Sequence, residues 1–233
     1  VNLLLLESSD FNSDGTAVIT GRRCRQLVDV IRATAGKRCK AGILGGKCGT
    51  AEILNITPNE CRVNFTPEKE PPAKHDIVLI AALPRPQSLC KVLHCATTMG
   101  VRKLCFIQTF KVEKSYWASP RLADNEIRDE LILALEQCGD TILPEVSFFR
   151  TFKPFIEDEL ENLATGTRLL GDPAGTPAEF QEAATLAIGP EGGFTDYEKS
   201  MFYQHGFTPV SLGERILRTE FAVAGLLARL SLK

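Results

Sequence analysis

Three short stretches of this 233-residue chain concentrate residue types that chemistry can use. Gly189-Pro190-Glu191-Gly192-Gly193-Phe194 follows the apolar run at residues 185–188. Ser211-Leu212-Gly213-Glu214-Arg215-Ile216-Leu217-Arg218-Thr219-Glu220 comes about twenty residues later, and Leu169-Leu170-Gly171-Asp172-Pro173 lies upstream. Each reads as the exit of a strand, the place where open parallel sheets hold ligands. Gly192 and Gly193 permit positive φ and close backbone approach, while Pro190 stiffens the exit. Such a loop offers N–H and C=O groups to a ligand rather than side chains. It makes a poor phosphate cradle, because neither a Lys-Ser/Thr pair nor a GxGxxG pattern accompanies it. Thr195 and Glu198 form a capping box for a helix beginning at residue 196, and Gly206 suits its far end. The glycines at residues 42–49 fit a hairpin turn better than a binding loop.

Around these loops the chain changes rhythm. Residues 1–70 read as strands at 2–6, 16–20, 38–44, 50–56 and 61–66, with turns at Gly45-Gly46 and Pro58-Asn59. One helix over residues 23–33 would set Leu27, Val30 and Ile31 on one face. The sum resembles a small β-barrel. Residues 68–74, with charges and a double proline, read as a linker. Beyond it, strands at 76–82, 103–108, 145–149, 168–170, 185–188 and 208–212 alternate with helices. The helices fall at 87–99, 124–138, 154–164, 178–183, 196–205 and 220–230. That alternation predicts a mainly parallel α/β sheet covered on both sides. The expected division is residues 1–70 and residues 75–233.

The chain carries a net charge of −2, unevenly spread. Residues 21–47 hold an excess of seven positive charges, which leaves the remainder at −9. Arg22, Arg23, Arg25, Arg32, Lys37 and Arg38 are either a phosphate-backbone footprint or a solvated helix face and hairpin edge. The eight cysteines, with no secretion signal, read as reduced apolar residues of a cytoplasmic protein. Cys90 and His94 share a helical face but lack partners at metal-binding spacing, so no metal is expected. The opening Leu3–Leu6 run is too short for a spanning helix, and no membrane partner is expected.

IGPEGGF followed by SLGERILRTEFA resembles the RsmE family of ribosomal RNA methyltransferases in the SPOUT superfamily. LPRPQSLCKVLHCATTMGV and ALEQCGDTILPEV resemble further family segments, and residues 21–38 more weakly resemble its PUA-like RNA-binding domain. The resemblance implies a C-terminal parallel sheet tied in a trefoil knot behind an N-terminal PUA-like β-barrel. It implies S-adenosylmethionine as cofactor, a homodimer, and methylation of N3 of a uridine in 16S rRNA of the small subunit. Ile188, Gly189, Pro190, Gly192 and Gly193 would then wrap the cofactor. Leu212, Gly213, Ile216, Leu217 and Ala222 would hold its adenine side, with Leu170 and Gly171 closing the third wall. The basic residues would clamp RNA. Uracil N3 is a weakly acidic imide, so transfer calls for a proton acceptor, Glu191 or Glu220, and for a fork such as Arg218 on the carbonyl oxygens or a phosphate. Where the family has arginine, Asp140 reverses a charge able to face RNA, and Phe221 alters the RTE-containing motif. A different RNA target, or a knotted RNA-binding protein without activity, are the alternatives.

Overall fold

The computed structural model describes residues 2–231, and the chain falls into two compact units. The first comprises residues 1–72 with 132–143, and the second residues 73–131 with 144–233.

The first unit is built on a five-stranded sheet. Its strands are β1 (Leu4–Leu6), β2 (Thr16–Thr20), β3 (Arg38–Ile43), β4 (Cys48–Ile56) and β5 (Glu60–Lys69), in the order β1-β3-β4-β5-β2. Alternating apolar residues place Ile19, Ala41, Ala51, Ile53, Cys61 and Val63 in one core with Leu4 and Leu6. The helix after β2 differs from its expected form. It runs as α1 (Gly21–Arg25) and then widens into a π-helical turn (Gln26–Val30), closed by the Ile31 N–H on the Gln26 carbonyl at 3.1 Å. The wider turn shifts the periodicity, so Leu27 is buried while Val30 is 71% exposed. Residues 132–143 also belong here: Ile132 and Leu135 pack with Leu3 and Leu5. Asp140 is buried and accepts from the N–H groups of Thr141 (2.6 Å) and Ile142 (3.0 Å). It anchors a turn, and the expectation that its charge faces outward is corrected.

The second unit holds a six-stranded sheet in the order β11-β9-β10-β6-β7-β8, with each neighbouring pair parallel. Its strands are β6 (His75–Ala82), β7 (Val101–Ile107), β8 (Glu145–Phe149), β9 (Thr167–Pro177), β10 (Ala183–Ile188) and β11 (Thr208–Ser211). Central β6 and β10 are continuous apolar runs because helices cover both faces. The helices of this unit are α2 (Pro86–Thr98), α3 (Asp124–Cys138), whose residues 132–138 belong to the first unit, α4 (Phe152–Pro154), α5 (Leu160–Leu163), α6 (Asp196–Gln204) and α7 (Thr219–Ser231). A π-helical turn (Phe155–Glu159) joins α4 to α5. The C-terminal α7 packs on α2 and β10.

Two details set the contour of this sheet at its β9–β11 edge. Strand β9 is longer than expected, and its register against β11 jumps: Leu170 faces Pro209, yet Thr176 faces Val210. Residues 171–175 are therefore looped out. The helix expected at residues 178–183 does not form. The Ala178 N–H donates to Ser211 (3.1 Å) and the Gln181 N–H to Leu230 (3.0 Å), and Ala183 already starts β10. Tertiary hydrogen bonds override a weak local preference over a very short connection.

Under the loop after β10 lies an aromatic cluster. Phe202 of α6 is fully buried, with ring centroids 5.1 Å from Phe194, 4.9 Å from Phe207 and 5.7 Å from Phe152. Phe194 closes the 189–194 loop, so this packing seats the loop on the core. Phe202→Ala is expected to cost about 4 kcal/mol through lost burial and a cavity. In urea denaturation the midpoint should fall while the slope stays unchanged.

Candidate active site

The carboxyl ends of β9, β10 and β11 bound a cleft of ≈ 660 Å³, counted to its open mouth. Ten of the expected ligand-contacting residues line it: Gly171, Ile188, Gly189, Pro190, Gly193, Leu212, Gly213, Ile216, Leu217 and Ala222. Leu170 lies instead in the core beneath, fully buried beside Ala187. Gly192 points elsewhere: a Cβ there would meet Lys111 Cδ at 2.9 Å, and its carbonyl accepts from Lys111 Nζ at 2.6 Å. Sequence reasoning missed Asp172, Pro173, Val210, Ser211, Arg215, Thr219 and Leu226, which complete the lining. Of these, Ser211, Arg215 and Thr219 were within one stretch already singled out, and Asp172 and Pro173 within another. The register jump that turns them into the cleft has no sequence signature.

The loop geometry explains its glycines. Gly193 adopts φ +70°, and its N–H donates to the Pro190 carbonyl at 2.7 Å in a tight turn. A Cβ on Gly189 would lie 3.0 Å from the backbone nitrogen of Phe194. The expected capping box is present: Thr195 Oγ1 accepts from the Glu198 N–H at 3.3 Å, and Glu198 Oε2 accepts from the Thr195 N–H at 2.8 Å. Glu198 does more than cap. Only 2% exposed, it also accepts from the Phe110 N–H at 2.7 Å through Oε1, fixing the loop after β7.

On the opposite wall, Ser211 Oγ accepts from the Gly213 N–H (2.9 Å) and sets the turn after β11. The N–H groups of Ile216 and Leu217 find no acceptor among the described residues. They are free for a ligand. Asp172 anchors the looped-out segment to α6, with Oδ2 2.6 Å from Lys199 Nζ and Oδ1 accepting from the Ala174 N–H at 3.0 Å. Burial alone would raise the Asp172 pKa. The Lys199 ammonium and the Ala174 N–H outweigh it and hold the carboxyl below its ordinary value.

The three candidate catalytic side chains are placed differently. Glu191 lines the cleft, and its carboxylate is 3.6 Å from Arg85 Nε at a solvent-facing edge. Arg218 is exposed, forms no ion pair with a described residue, and gives its carbonyl to the Phe221 and Ala222 N–H groups at the start of α7. Glu220 is buried outside the cleft lining and paired with Lys91 at 3.2 Å. Backbone hydrogen bonding at the helix start, with Lys91 and Arg218 opposing the effect of burial, holds its pKa below the usual carboxylate value. It is an ionised anchor of the positive end of α7.

The basic residues of the first unit are partly engaged in internal contacts. Arg22 pairs with buried Glu136 at 2.8 Å, Arg23 grips Asp10 at 2.6 Å, and Arg38 reaches Glu52 at 3.2 Å. Lys37 Nζ donates to the Ile31 carbonyl at 3.2 Å, while Arg25 and Arg32 are exposed without an ion pair to a described residue. No group of three or more metal-ligating side chains exists among the described residues. His94 lies 2.7 Å from Glu130 instead. No helix among them is long and apolar enough to cross a membrane.

The sequence and the fold match known proteins. A family model described as an RNA methyltransferase domain matches residues 70–231. Ribosomal RNA small subunit methyltransferase E of Treponema pallidum is 30% identical over 239 residues, 98% of this chain and 90% of that protein. Two solved structures share the fold at 22% identity, each covering 97% of this chain and 95% of its own. One is a methyltransferase from Legionella pneumophila in complex with S-adenosylmethionine, with a TM-score of 0.77. The other is ribosomal RNA small subunit methyltransferase E from Neisseria gonorrhoeae bound to S-adenosylmethionine, with a TM-score of 0.75. The second unit is thus built on an RNA methyltransferase domain. Within that class, the chain belongs to the RsmE family of ribosomal RNA methyltransferases.

Two substitutions test the supports of this site. Glu198→Ala leaves three donors without their acceptor and is expected to cost on the order of 2–3 kcal/mol, read by chemical denaturation. Asp172 has a depressed folded pKa, so its contribution is present at neutral pH and disappears as pH falls through its folded value. Asp172→Asn should therefore destabilise by about 2 kcal/mol at pH 7, with the difference shrinking as pH falls through the depressed folded pKa of Asp172.

Proposed function

We propose that this protein transfers a methyl group from S-adenosylmethionine to N3 of a uridine in small-subunit (16S) ribosomal RNA, in the cytoplasm. The observation that carries the proposal is the cleft where the ends of β9, β10 and β11 meet, bounded largely by backbone and apolar side chains. Its residues fit the cofactor. Leu212, Ile216, Leu217 and Ala222 offer apolar surface to a flat adenine, and the free Ile216 and Leu217 N–H groups suit a base edge. Gly189, Pro190 and Gly193 admit close contact along the opposite wall, and Gly171 closes the third. When bound, S-adenosylmethionine supplies an activated methyl group on a sulfonium.

This chain's own residues do the rest. Glu191, at the edge of the cleft, is placed to accept the N3 proton. Arg218 is exposed and forms no ion pair with a described residue, and its fork can hold the carbonyl oxygens flanking N3 or a neighbouring phosphate. Glu220, ionised and tied to Lys91, keeps the start of α7 in place.

The rest of the chain takes supporting roles. The connection through β9, β10, α6 and β11 and the return of α7 onto α2 and β10 support a trefoil knot of the SPOUT kind. The first unit serves as a PUA-like barrel that contacts RNA. Arg25, Arg32 and Lys37 carry that contact, with Arg22 and Arg38 contributing their exposed ends and Arg23 held inward by Asp10. Ile216, Leu217 and Phe221 expose apolar surface on and before α7, which supports a homodimer through this face.

The deciding experiment incubates the protein and tritiated S-adenosylmethionine with small subunits from cells lacking their own N3-methyluridine. Label mapping to a single N3-methyluridine is expected. Label at another base, or cofactor binding without label, would give a different RNA target, and neither label nor cofactor binding would leave an RNA-binding protein without activity. Arg218→Ala should lower kcat at least tenfold with cofactor affinity unchanged; full activity in that variant removes Arg218 from the mechanism.

A further inference from the structure

We propose that a groove on the outer side of the loop after β10 is a second RNA subsite, a stacking platform for an unpaired nucleotide next to the target base. The inference rests on the RNA methyltransferase reading and deepens it. The groove measures ≈ 1230 Å³ to its open mouth and lies wholly within the second unit. Its residues 195–198 directly continue the segment that forms the cleft wall.

Two aromatic rings are displayed there. Phe110 is 83% exposed and Tyr197 57% exposed. Phe110 is no frayed residue. Its N–H is held by the buried Glu198 carboxylate, and Gln108 Nε2 donates to the carbonyls of Thr109 (2.6 Å) and Val112 (2.9 Å), closing the loop on itself. A large apolar side chain presented on an ordered loop gains nothing for the fold. A nucleobase face covers such a ring with little regard to sequence.

The polar groups argue for nucleic acid over a protein segment. Lys114 and Lys153 line the groove; Lys153 shares an exposed i,i+4 pair with Glu157, and Lys114 forms no ion pair with a described residue. Glu198, the one carboxylate in the lining, is buried and engaged by its hydrogen bonds. Thr109 also lines the groove, and its buried hydroxyl has no hydrogen-bond partner among the described residues. Lys111 donates across to the Gly192 carbonyl, so the groove and the cleft stand on two sides of one braced loop. Unpaired RNA crossing this loop would leave one base at the cleft and stack its neighbour on Phe110 and Tyr197.

The test uses the full chain and a fluorescein-labelled single-stranded RNA of mixed sequence, about ten nucleotides long, read by anisotropy. Phe110→Ala and Tyr197→Ala should each weaken RNA binding about tenfold, and Phe110→Trp should restore it. Calorimetric affinity for S-adenosylmethionine and the thermal midpoint should stay at wild-type values, since both rings are exposed. Unchanged RNA affinity in the alanine variants overturns the proposal, as does failure of the wild-type chain to bind the RNA. Conversion of a dimer to monomer by Phe110→Ala, with RNA affinity per protomer unchanged, would assign the groove to protein contact and equally overturn it. RNA binding that depends on Phe110 in a protein without methyl transfer would sink the activity and leave the subsite standing.

Discussion

One buried carboxylate holds the second unit's functional end together. Glu198 receives the Thr195 N–H and hydroxyl on one oxygen and the Phe110 N–H on the other. Taking an ionised group out of water is costly unless each oxygen is well satisfied, and here both are. The arrangement makes three features conditional on one side chain. They are the start of α6, the exit of the glycine-rich loop and the path of the loop after β7. Lys111 adds a second brace between the same two loops through the Gly192 carbonyl.

That rigidity suits a cleft in which backbone does much of the contacting. A wall made of N–H and C=O groups cannot adapt by changing rotamer, so it must be set in place beforehand by packing and caps. Phe194 anchors one end of the loop in the aromatic core, and the Asp172–Lys199 pair pins the opposite segment to α6. Charged side chains around the cleft then divide by environment. Glu220 and Asp172 are buried, paired and ionised, which suits anchors. Glu191 and Arg218 keep an exposed face, which suits groups that meet a substrate.

Much of this was legible in the residues because several levels agree. The capping box at Thr195-Glu198, the apolar β6 run and the Gly45-Gly46 turn each pair a local rule with a compatible global role. What stayed hidden depended on distant partners. Nothing near Phe110 announces that its N–H will meet a carboxylate 88 residues away. The loop-out at residues 171–175 is created by pairing with β11, and the absent helix at residues 178–183 yields to carbonyls of Ser211 and Leu230. The shift of Val30 to solvent came from a π-helical turn, which the apolar spacing alone does not distinguish from an α-helical one.

The return of residues 132–143 to the first unit has a consequence for how the gene can be cut. The proline-containing stretch before β6 has the composition of a linker between modules. A chain ending at residue 72 would nevertheless leave behind the Ile132 and Leu135 side chains that cover Leu3 and Leu5. It would also lose the Glu136 carbonyl that receives the Asn2 and Leu3 N–H groups, and the Glu136 carboxylate that receives Arg22. The N-terminal sheet is therefore no detachable cassette. Its inheritance is bound to that of α3, and transplanting the sheet onto another protein requires carrying a segment encoded about sixty codons downstream.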